Sequence, residues 1–185
     1  MKIKKIWIAA AVLTICIGGL WAANDVNNLK NTVDYPQFTY LDDQKGTLKV
    51  LQNVCVIIED LDADVGKHGL TKQQLQTDVE LKLRQNGIKV FSKQELFSVV
   101  GSPYLYVNVH TIIRSDSQDA SYNISLQLRQ IVYLARDPIK SCFASTWLTG
   151  SSGSVGLNKI PSLREDVKDC VDTFINDYLA VNPKQ

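Results

Sequence analysis

The apolar positions of this chain follow several rhythms, and each predicts an element. Residues 47–59 are rich in Val, Ile and Leu, barely alternate and are too few for a full helix, which predicts a strand buried on both faces near its end. Leu75, Val79 and Leu83 then return every four residues, the spacing of one helix face. That helix has a marked start: Thr71 and Gln74 form a capping box, and Leu70 can pack on Leu75 as a staple. Gly87 supplies its left-handed stop, residues 88–91 read as a short second strand, and 92–98 read as a helical turn or two.

The rhythm then shortens to two. In residues 104–113, Leu105, Val107 and Val109 oppose Tyr104, Tyr106, Asn108 and His110; in 122–134, Ile124, Leu126 and Leu128 oppose Asn123, Ser125, Gln127 and Arg129. Such alternation predicts antiparallel strands with one core face and one wet face, joined by the polar turn 115–120 and followed by a third strand at 142–148. Val167, Cys170, Val171, Phe174, Ile175 and Tyr178 restore spacings of three and four. They predict a last helix opened by a Ser162–Glu165 capping box and ended by Asn182 and Pro183. Strand, helix, strand, short helix, three strands and helix predict an α/β (α+β) two-layer sandwich: one mixed five-stranded sheet with helices on one face. A domain of about 140 residues buries roughly two-thirds of its surface, so this one needs no metal or disulfide to hold it, and no cofactor is expected.

The front of the chain has a different character. Lys2, Lys4 and Lys5 precede an apolar run of about 18 residues ending at Ala23, the order of an export signal. Trp21 and Leu20 make poor small-x-small cleavage sites, so residues 1–23 read as a signal peptide or as an uncleaved anchor. The run 13–16 is a weak match to a lipid-attachment box, with Ile15 too large before Cys16. Residues 24–46 are polar and rich in Asn and Asp and read as a tether, which leaves 47–185 as a single domain.

Hydrophobic residues at 45% and charged residues at 21% exclude disordered, collagenous and multi-span membrane classes. Three of the 20 basic residues lie in the leader, leaving 17 against 19 acidic ones and a net charge of about −2. A nucleic-acid surface normally needs a basic excess, so no nucleic-acid partner is expected.

The segments Glu59-Asp60-Leu61-Asp62-Ala63, Gly69-Leu70-Thr71, Pro103-Tyr104-Leu105-Tyr106-Val107, Leu128-Arg129-Gln130 and Phe174-Ile175-Asn176-Asp177-Tyr178-Leu179-Ala180 carry a resemblance. Together they resemble a family of uncharacterised secreted bacterial proteins, over about residues 48–183. The implied fold is similar to the amino-terminal domain of the periplasmic protein TolB, a small α/β module used largely for protein contacts. The resemblance implies no catalytic residues. This chain also has a Trp-x-Thr-Gly turn at 147–150 and cysteines at 55, 142 and 170 whose role it leaves open.

Several groups are candidates for chemistry. Glu59, Asp60, Asp62 and Asp64 follow the first strand, where ligands of α/β sheets often sit, and form a weak metal or acid/base candidate beside the reading of a solvated loop. A calcium loop is excluded: Val65 stands where the turn glycine belongs and Thr71 where the bidentate glutamate belongs. Gly150, Gly153 and Gly156 suggest a mobile connector or an anion cradle, without a nucleotide-binding motif. His68 and His110 stand far apart with no Cys-x-x-Cys, which argues against structural zinc. Cys142 and Cys170 are a candidate disulfide, beside the reading of Cys55 and Cys170 as small buried hydrophobes. Closing that loop would contribute roughly 3–4 kcal/mol.

The wet sheet face is the favoured site, with Tyr104, Tyr106 and His110 from one strand and Gln127 and Arg129 from its neighbour. Tyr and Arg concentrate binding energy at protein contacts. The expectation is therefore a periplasmic or secreted non-enzymatic module that binds an envelope or secreted protein, touching membrane only through an uncleaved leader. The rival is a small-ligand or metal-assisted hydrolytic enzyme built on the acidic cluster and the glycine segment.

Overall fold

A computed structural model describes residues 44–114 and 116–183. The chain divides into Met1–Leu41 and Asp42–Gln185. The leader and nearly all of the tether lie outside the described residues. Among the described residues the buried core lies between Leu48 and Ile175, inside the compact unit Asp42–Gln185, and a unit with its own hydrophobic core can fold alone.

Five strands form one sheet: β1 (Asn53–Ile58), β2 (Lys89–Phe91), β3 (Tyr104–Arg114), β4 (Asp119–Leu134) and β5 (Asp137–Gly156). Their order is β2-β1-β3-β4-β5, with β1 parallel to both its neighbours and β3, β4 and β5 antiparallel. Among the described residues three α-helices accompany them: α1 (Ala63–Lys67), α2 (Lys72–Gln85) and α3 (Leu163–Val181). The architecture is the expected two-layer α/β sandwich. Helix α2 buries Leu75, Val79 and Leu83, and α3 buries Val167, Val171 and Phe174, in one core with the inward residues of β1, β3 and β4.

Local signals account for α2. The Thr71 hydroxyl accepts from the Gln74 amide at 3.3 Å, and the Gln74 side chain accepts from the Thr71 amide at 2.9 Å. At its other end Gly87 adopts φ +83°, which lets the amides of Gly87 and Ile88 return to the carbonyls of Arg84 and Leu83. Arg164 of α3 donates two hydrogen bonds to Asp78 of α2, at 2.8 and 2.9 Å, and locks the two helices together. This pairing holds the Asp78 carboxyl below the usual carboxylate range.

Four expectations need correction. The first strand is shorter than 47–59, because Gly46–Leu48 form a 3₁₀ turn and Val50, at φ +57°, breaks the extended backbone. The acidic segment contains α1 where a loop was expected. Ser162 does not cap α3: its backbone is already helical, because a 3₁₀ segment, Leu157–Ser162, runs straight into the helix, and its hydroxyl donates to the Lys159 carbonyl. Finally, β5 runs to Gly156, so residues 147–150 are strand, not turn, and Gly150 and Gly153 belong to a ladder, not to a connector. A side chain at Gly150 would strike the Ile124 carbonyl on β4, and Gly153 lies under the Tyr122 ring.

Candidate functional site

Strand alternation builds the open face of the sheet, and the register between β3 and β4 decides which side chains meet there. Tyr104 lies opposite Arg129 and Tyr106 opposite Gln127. The Arg129 guanidinium sits over the Tyr106 ring, 5.3 Å from its centroid, a cation–π arrangement. Its Nε is buried with no acceptor, and among the described residues Arg129 forms no ion pair. The Tyr106 ring and the surrounding packing, without an anionic partner among the described residues, hold this cation. Gln127 is fixed from both sides: its Nε2 donates to the Ser125 hydroxyl at 2.9 Å, and its Oε1 accepts from the Ser145 hydroxyl at 2.7 Å.

A third ring joins from β5. Phe143 meets Tyr104 edge to face, with centroids 5.6 Å apart. The sequence reading missed it for a definable reason. Simple alternation puts Phe143 on the same face as Trp147, which is buried against Phe174 of α3. A bulge inserts Thr146, so that Trp147 opposes Leu128 while Ser145 opposes Arg129, and this turns Phe143 to the open face.

His110 does not join this group. It lies four residues along β3 from Tyr106, about 13 Å away, with Asn108 between them. There its Nδ1 stands 3.4 Å from Asp62 Oδ2, which also accepts from the Thr111 amide at 3.3 Å.

The acidic candidates are dispersed. Asp60 pairs with Lys72 and Asp64 with Lys67, each at 2.6 Å, and these hydrogen bonds hold both carboxyls below their ordinary range. Asp62 turns to β3, and Glu59 is exposed. Among the described residues, no three His, Cys, Asp or Glu side chains are grouped to hold a metal ion. The glycine segment, being strand, forms no loop that could cradle an anion.

The expected Cys142–Cys170 disulfide is not formed. Both are free, as is Cys55. Cys142 is exposed on β5 opposite Val132, whereas Cys170 is buried on α3. Burial pushes the thiols of Cys55 and Cys170 up, as small apolar core residues.

No protein-family model and no curated protein matches this chain. Among the described residues, no helix is long and apolar enough to cross a membrane.

Proposed function

We propose that this chain is an exported, non-enzymatic α/β module that binds another envelope or secreted protein through the open face of its sheet. The observation that carries the reading is the Tyr106–Arg129 stack, flanked by Tyr104 and Phe143. It offers aromatic area fixed by the sheet beside a cation with no acidic partner of its own. A carboxylate or backbone carbonyl on a partner would satisfy that cation, and the rings would supply apolar area on either side.

Two features of the sequence support export and protein binding. The basic residues followed by an apolar run in 1–23 have the order of a secretion signal. The segments that resemble the TolB amino-terminal domain point to a module used for contacts. The β5 edge adds a second way to bind. Residues 141–156 carry neither charge nor proline, the devices that usually blunt an edge, so a partner on the face can extend the sheet as a further strand.

The test places a photo-crosslinking amino acid at Tyr106 in the full chain, expressed in the producing cell. A discrete adduct with one envelope or secreted protein is expected. That partner, once purified, should bind the wild type and lose at least tenfold in affinity for Tyr106→Ala combined with Arg129→Ala. A crosslinked partner that binds the double variant as well as the wild type would refute the assignment of this face.

A further inference from the structure

The sheet has two unlike ends. Among the described residues the five most exposed large hydrophobic residues are Val100 (97%), Ile139 (89%), Val50 (81%), Phe97 (80%) and Tyr133 (70%). They come from three separate segments, yet the fold gathers them at the end where β3 begins and β4 finishes. The β4–β5 hairpin runs five residues beyond Arg129, the last β4 residue paired with β3, and turns at Ala135-Arg136 with Tyr133 and Ile139 beside its tip. The loop that carries Val100 flanks this arm, the Gly101 carbonyl accepting from the Ile131 amide at 2.8 Å. Val100 and Val50 together line a recess of about 440 Å³.

Val50 is held outward against its own preference. A β-branched residue at φ +57° is a backbone outlier. Asn182 fixes it, its Oδ1 accepting from the Val50 amide and its Nδ2 donating to the Leu48 carbonyl, each at 2.8 Å.

Charge separates the same two ends. Lys49, Arg136 and Lys140 are exposed around the apolar residues. Two acidic groups, Asp137 at the turn and Glu95 near Phe97, stand against these three bases, with the Ile139 amide and Ser92 donating to them. At the far end, where β1 and β3 finish, stand Glu59, Asp60, Asp62, Asp64, Asp116 and Asp119 against Lys67, Lys72, Arg114 and Lys159, with Asp60, Asp64 and Asp119 ion-paired.

We propose that the Val50–Val100–hairpin end is a peripheral docking surface for an anionic lipid bilayer. Exposed apolar and aromatic side chains on loop tips, rimmed by cations, suit the boundary between acyl chains and headgroups, with the basic heads reaching lipid phosphates. The acidic far end would be repelled, so the domain would stand with its strands steep to the membrane. A protein partner would need to bring its own acidic, apolar surface, whereas an anionic bilayer supplies both properties over any area. This contact is separate from the Tyr106–Arg129 face.

The experiment uses residues 42–185 and sedimentation with vesicles of phosphatidylglycerol and phosphatidylethanolamine, or of phosphatidylcholine alone. The wild type should bind the anionic vesicles and lose about tenfold or more on phosphatidylcholine and at high salt. Val100→Ser with Ile139→Ser should lose a comparable factor on anionic vesicles. Arg136→Gln with Lys140→Gln, which leaves every apolar side chain in place, should lose the preference between the two lipids. An unchanged near-ultraviolet circular dichroism spectrum checks the fold of each variant. Absence of wild-type binding to anionic vesicles, or binding that survives both pairs of substitutions, would overturn the proposal. So would a lipid-free dimer that Val100→Ser with Ile139→Ser dissociates in a protein that ignores vesicles, since the end would then be a contact between copies.

Discussion

Replacing Gly150 by alanine tests the strand β5 where composition argued most strongly against it. A Cβ at Gly150 would lie closer than 3.0 Å to the backbone oxygen of Ile124 on β4. A carbon normally keeps about 3.3 Å or more from a carbonyl oxygen. The obstacle is backbone and cannot rotate away, so β4 and β5 must part locally. Overpacking of this kind costs about 1–3 kcal/mol, and a weakened ladder hydrogen bond adds about 1 kcal/mol. Alanine returns about 0.5–1 kcal/mol through its lower backbone entropy. The net loss is about 1–3.5 kcal/mol, or about 3–12 °C in melting temperature for a domain of this size. Gly153→Ala is the internal control. Its Cβ would meet the Tyr122 side chain at 3.0 Å from the hydroxyl, and that ring can swing, so a change within about 0.5 kcal/mol is expected. Urea unfolding of the two variants and the wild type decides the matter. Were Gly150→Ala as stable as Gly153→Ala, residues 150–156 would not be locked in a ladder, and the reading as a mobile connector would return.

Two further predictions follow from buried and paired groups. Because Arg164 depresses the Asp78 carboxyl, this pair adds stability above the ordinary carboxylate pKa, near 3.9, and loses it as pH falls through the lower folded value. Asp78→Asn should therefore destabilise the domain most at pH 7 and least near pH 3; a urea-midpoint difference that stays constant with pH would contradict the linkage. In residues 42–185, one thiol, Cys142, should react with a maleimide in the native state, and Cys55 and Cys170 only after unfolding. Mass spectrometry showing two native adducts, or an oxidised Cys142–Cys170 pair, would refute the thiol assignment.

Some of this architecture was legible in sequence because its signals are local or periodic. The Thr71–Gln74 cap depends on residues three apart, and the period of two in β3 and β4 survives any detail of packing. Tyr104, Tyr106, Gln127 and Arg129 could be grouped for the same reason. What failed depends on partners distant in sequence. The Gly- and Ser-rich half of β5 lacks strand propensity, and the Asp119–Leu134 strand beside it overrides that preference. The bulge at Thr146 reverses the facing of Phe143 without any mark in composition. His110 shares the tyrosine parity but is drawn to Asp62, and cysteine spacing says nothing about which side of an element a thiol occupies. Val50 looks like an ordinary strand residue until Asn182, 132 positions later, fixes it in the left-handed region.

The bulge also links the two surfaces through one piece of covalent geometry. Without Thr146 as an extra residue, a continuous β5 would keep Trp147 and Phe143 on one face, forcing either Trp147 out of the core or Phe143 off the open face. The insertion lets a single strand serve the core beside α3, the aromatic face near Tyr104 and the hairpin tip at Ile139 in turn. The ladder pairs Tyr133 with Ser141 and Leu134 with Asp137, so a second irregularity sets Ile139 outside the regular pairing, ten residues from Arg129 and six from its partner Ser145 along the same hairpin. The proposed membrane contact and the proposed partner face would then share one hairpin while remaining chemically separable. The Gly150 contact, at the far side of the bulge, lies in the half of β5 that anchors this hairpin to β4.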